Sequence, residues 1–119
     1  MSTRAVYTFI DDREKFHVYK HWDGYPNVGA MEHDEVGAYA FIRQAKELAW
    51  DLPRFEASEF AAAFVARHKR EGGGVYLTKG YRYHGDLSYR YEIRAVGDKL
   101  EVKTFNCWDR KEKFKKVYL

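Results

Sequence analysis

Cysteine is nearly missing from this chain. Cys107 is the only one in 119 residues, which excludes an internal disulfide framework and any zinc site built from several thiolates. Proline occurs twice, at Pro26 and Pro53, so no proline-rich linker divides the chain. No apolar run approaches the roughly 18 residues of a membrane span, and the opening residues hold no stretch of signal-peptide character. A soluble cytoplasmic protein with no membrane partner is expected, and the length suits one domain over residues 1–119.

What is present is a foldable composition, 45% hydrophobic and 33% charged, with two departures from the ordinary. Aromatic residues reach 18%, ten of them Tyr, a residue that covers a core while offering a hydroxyl to water or a partner. Charge is also uneven. Residues 1–65 carry net −4 and residues 66–119 net +7, an asymmetry able to steer an anionic partner if folding keeps the halves apart.

Residues 4–10 and 16–21 alternate β-branched and aromatic side chains and read as a hairpin around Asp11-Asp12-Arg13-Glu14-Lys15. On the second strand Phe16, Val18 and Lys20 share one face, His17, Tyr19 and His21 the other. Asp23-Gly24-Tyr25-Pro26-Asn27 carries strong turn chemistry. From Met31 to Leu52 the apolar period changes to three and four, which predicts a helix ended by Pro53. A second helix is expected over residues 57–70, stopped by Gly72-Gly73-Gly74. Strands follow over residues 75–83, broken at Gly80, then 88–95 and 100–105, with the first two joined through His84-Gly85-Asp86-Leu87. The expected fold is α+β, an antiparallel sheet in the order ββααβββ with two helices on one face, and a basic tail over residues 110–119 that frays. Val6 or Tyr7, Leu48, Phe60 and Phe64 are expected to share the core.

Arg4-Ala5-Val6-Tyr7-Thr8-Phe9 and Val18-Tyr19-Lys20-His21-Trp22-Asp23-Gly24-Tyr25-Pro26 are similar to the opening of a group of small, functionally uncharacterised proteins of bacteria and their phages. Gly72-Gly73-Gly74 and His84-Gly85-Asp86-Leu87-Ser88-Tyr89-Arg90-Tyr91-Glu92-Ile93 extend the similarity over most of the chain. The resemblance implies a domain that stands alone in the service of a phage or mobile element, and it assigns no catalytic residue.

The sharpest chemical pattern is a doubled His-x-Asp, His21-Trp22-Asp23 and His84-Gly85-Asp86. Imidazole and carboxylate together suit zinc, iron or manganese, so a metal-dependent hydrolase or nuclease would use His21, Asp23, His84 and Asp86. Asp beside Gly is also ordinary turn chemistry, and the simpler account is that each tripeptide shapes a loop. His17 and His21 share a strand face, yet four residues of strand set them about 13 Å apart, too far for joint ligation. Nothing local beyond nearby Lys and Arg activates Cys107. Gly72-Gly73-Gly74 leaves a helix, whereas a phosphate loop enters one. Tyr81, Tyr83, Arg82, Arg90 and the tail lysines Lys113, Lys115 and Lys116 suggest single-stranded nucleic acid as a further partner.

No nucleophile, base and orienting group fall together, and no cofactor motif is present. The leading expectation is therefore a binding module without catalysis and with a protein partner. Trp22 and Tyr25, aromatic in a turn, are its first candidate contacts, and Lys113, Lys115 and Lys116 the second.

Overall fold

The chain forms β1 (Ala5–Ile10), β2 (Lys15–Lys20), α1 (Ala38–Lys46), α2 (Ala57–Lys69), β3 (Val75–Thr78), a 3-10 turn (Tyr81–Tyr83), β4 (Tyr89–Val96), β5 (Lys99–Asn106) and β6 (Phe114–Tyr118). The computed structural model describes residues 3–26, 36–71, 73–109, 111 and 113–119. β1 and β2 pair antiparallel from Ala5↔Lys20 to Ile10↔Lys15, the expected hairpin. Asp11 closes its turn, one carboxylate oxygen accepting from the Arg13 and Glu14 amides at 2.8 Å each. The other accepts from the Ala57 amide at 2.7 Å, so the same side chain caps the start of α2. Bonds from the Ala57, Arg13 and Glu14 amides hold the Asp11 carboxyl below the usual carboxylate range.

The six strands lie in the order β3-β2-β1-β4-β5-β6. All neighbours are antiparallel except β1 and β4, which run parallel. The sheet is therefore mixed, which corrects the antiparallel expectation. The cause is the link from β3 to β4. Those strands both run antiparallel to a neighbour of the same sense, so the chain must return along the sheet before β4 begins, and a local turn at residues 84–87 cannot do that. The return passes over the face opposite the helices, where Leu87 and Tyr81 pack on Val6 and Tyr19.

The helices cover the other face. Tyr7, Phe9, Val18, Tyr91, Ile93, Leu100 and Val102 meet Ile42, Phe60 and Phe64 in one core, in line with the strict alternation of strand side chains. Tyr7 stacks on Tyr91 at 5.1 Å between ring centres and tilts against Phe64 at 4.6 Å. Much of the aromatic surplus is thus core. Val6 belongs to the opposite face, so of the alternatives Val6 and Tyr7 it is Tyr7 that joins Phe60 and Phe64.

One helix boundary differs from the periodic reading. Met31 lies outside the described residues, and α1 ends at Lys46 rather than Leu52. The Leu48 and Ala49 amides bond Ala45 and Lys46 three residues back, tightening the helix to a stop. Leu48 is left 53% exposed and outside the core. Beyond it Trp50 is drawn toward α2, its amide donating to Glu59 at 3.3 Å. Tertiary contacts override a period that continues in the sequence. From Phe114 onward the basic tail is a strand rather than a frayed end: β6 pairs with β5 from Phe105↔Phe114 to Glu101↔Tyr118, and Val117 and Leu119 pack on the core.

Candidate functional site

β2 sends Tyr19 to the face opposite the helices, and the β3–β4 crossover brings His84 and Asp86 over the same area. The His84 ring stacks on Tyr19 at 4.5 Å and 7°, and its Nε2 lies 2.7 Å from Thr78 Oγ1. Arg4, just before β1, ion-pairs with Asp86 and donates from Nε to His21 Nδ1 at 3.3 Å. Guanidinium never accepts, so that nitrogen is the acceptor; the Tyr19 hydroxyl approaches it to 2.9 Å. Burial and then the Asp86 charge raise the Tyr19 pKa, with Arg4 opposing them.

The two tripeptides therefore meet, though around a guanidinium. Arg4 takes the position between His21 and Asp86 that a cation would need. Asp23, at φ 55°, acts instead on Tyr7 and Lys20, whose side chains face the helices. Among the described residues no three His, Cys, Asp or Glu side chains form a group able to hold a metal ion. His17 is engaged elsewhere, its Nδ1 2.8 Å from Thr8 Oγ1. Burial pushes the Cys107 thiol up, opposed by Arg90, which leaves little thiolate for nucleophilic work.

The predicted binding residues divide between distant parts of the sheet. Trp22 and Tyr25 follow β2 and are exposed at 47% and 38%. A side chain at Gly74, which has φ +76°, would strike Trp22 Nε1 at 2.8 Å, so the indole rests on the backbone entering β3. Lys115 and Lys116 lie on β6, beyond three intervening strands, and alternate between its two faces. Lys113 precedes that strand and is exposed. Lys116 faces Glu101 at 4.0 Å. One surface does not hold all five.

The sequence reading missed the sheet's other edge. Between α2 and β3 runs an apolar groove of about 780 Å³, with Phe16 and Leu77 on one wall and Ala61, Ala62, Val65 and Ala66 on the other. Leu77 is 80% exposed, the most of the large hydrophobic side chains described. Lys15 and Lys79 stand together at the end where β2 begins and β3 stops, and among the described residues no carboxylate lines the groove. Small side chains on α2 give it depth. The available signal was Val-Tyr-Leu-Thr, a strand without charge or proline directly after a helix stop; what hid it was not knowing that this strand is an edge.

Comparison with known protein families, curated proteins and solved structures finds no match.

Proposed function

We propose that the protein is a binding module without catalysis whose partner is another protein, held in the groove between α2 and β3. The observation that carries this reading is the exposed, apolar lining of that groove around Leu77. An apolar surface kept open to water costs solubility and raises the risk of aggregation, and its usual justification is a partner that covers it. Similarity of the opening residues to small bacterial and phage proteins favours work in the bacterial cytoplasm for a phage or mobile element.

The test is affinity capture from host extract with the parent protein, Ala62→Trp, and the double variant Trp22→Ala/Tyr25→Ala. Ala62 is exposed, so a tryptophan there fills the groove without entering the core. The captured protein should be lost with Ala62→Trp and kept with the double variant. Loss in the double variant alone moves the contact to the Trp22 turn and overturns the groove assignment.

A further inference from the structure

β3 ends the sheet, so among the described residues one side of its backbone has no neighbouring strand. The phase of its ladder is set by the His21 amide, which donates to the Gly74 carbonyl at 2.8 Å. Hydrogen-bonded and non-bonded pairs alternate along an antiparallel ladder. Tyr76 and Thr78 therefore spend their backbone groups on Tyr19 and His17, while Val75 and Leu77 turn theirs outward. The outward Val75 carbonyl already accepts from Lys69 Nζ at 3.1 Å. What the edge offers is the N–H and C=O of Leu77, the pair of groups to which an incoming strand binds.

The two edges of the sheet are treated differently. β6 places Lys115 and Lys116 among its five residues, the charged blunting that discourages strand addition. β3 is Val-Tyr-Leu-Thr, with neither charge nor proline. Beside Leu77 lies the groove, positioned to take a side chain that an added strand turns toward the helices. Its rim carries Lys15 and Lys79 and, among the described residues, no acid. A second copy added antiparallel about Leu77 would bring its Lys79 toward Val75, whose carbonyl holds the Lys69 ammonium at 3.1 Å, and like charges facing each other oppose that pairing. An acidic segment meets no such repulsion.

From this we infer that β3 accepts an extended, acidic segment of another protein as a further strand, with one apolar side chain of that segment seated between Leu77 and α2. The inference rests on the protein-binding reading above and adds the conformation and charge of what is bound.

The probe is a fluorescein-labelled peptide of alternating leucine and glutamate, followed by anisotropy. Comparison peptides replace glutamate by lysine or methylate the backbone nitrogens along one edge. The glutamate peptide should bind at least about tenfold tighter than either comparison peptide. Leu77→Pro deletes the outward donor while sparing the ladder to β2 and should abolish binding, with Leu77→Ala weakening it less. Lys15→Glu/Lys79→Glu should reverse the preference toward the lysine peptide. Equal binding of methylated and unmethylated peptides to the parent protein overturns strand addition, and needs no variant to fold. Equal binding of glutamate and lysine peptides overturns the acidic partner, and concentration-dependent self-association lost in Leu77→Pro assigns the edge to a second copy instead. If Ala62→Trp loses its captured host protein while Leu77→Pro retains it, the groove reading stands and strand addition falls.

Discussion

His68 shows how one buried side chain sets the response of this protein to acid. It is 1% exposed and packs edge-on to Phe41 and Phe64, with Nε2 2.9 Å from the Phe41 carbonyl. Burial lowers its pKa to about 4, against the pull of that hydrogen bond; Lys20 and Arg67 lower it further and Glu71 opposes them. The unfolded imidazole titrates near 6.5, so the unfolded state binds the proton first. Stability is then complete above about pH 6.5 and falls toward about pH 4, by about 3 kcal/mol over the window. His17, also lowered by burial and by Lys15, adds a smaller loss of the same sign. Urea midpoints measured between about pH 7 and about pH 4.5 should decline in the parent and flatten substantially in His68→Phe. An identical slope in the variant would place the acid sensitivity elsewhere.

Among the elements, β6 departs furthest from what its composition suggests. Phe114–Tyr118 is rich in lysine, yet Val117 and Leu119 pack on the core. Leu119 and Leu100 exchange backbone hydrogen bonds of 2.9 Å in both directions. Lys115 and Lys116 take one face each and shield the edge, while Val117 and Leu119, two residues apart on the helix face, reach the core. Removal of residues 114–119 should therefore destabilise the fold by about 2–4 kcal/mol, the burial of one to two aliphatic side chains, read as a lower denaturant midpoint. A frayed tail would leave the midpoint unmoved.

For the molecule as a whole, order should decline outward from β1. Every residue of β1 is buried, and both of its sides are paired, antiparallel to β2 and parallel to β4. Among the described residues β3 and β6 each have one open side. Hydrogen exchange should accordingly be slowest for β1 amides and orders of magnitude faster for the outward Leu77 amide. Equal protection of Leu77 and Tyr7 would contradict the open edge on which the binding reading depends.

Alternation, period and turn residues are local, and the sequence alone determined what depends on them: the opening hairpin, the two helices, the strands over residues 88–95 and 100–105, the core role of Phe60 and Phe64, and the separation of Val18 from Tyr19. Strand neighbours are not local. That β4 joins β1 in parallel, that β3 becomes an edge, and that Arg4 enters between His21 and Asp86 all follow from a crossover whose direction no short motif encodes. The candidate site was hidden for the same reason. An exposed Leu77 beside Phe16 and the alanines of α2 exists only once the sheet order has decided which strand stands last, since the same four residues inside the sheet would be ordinary core.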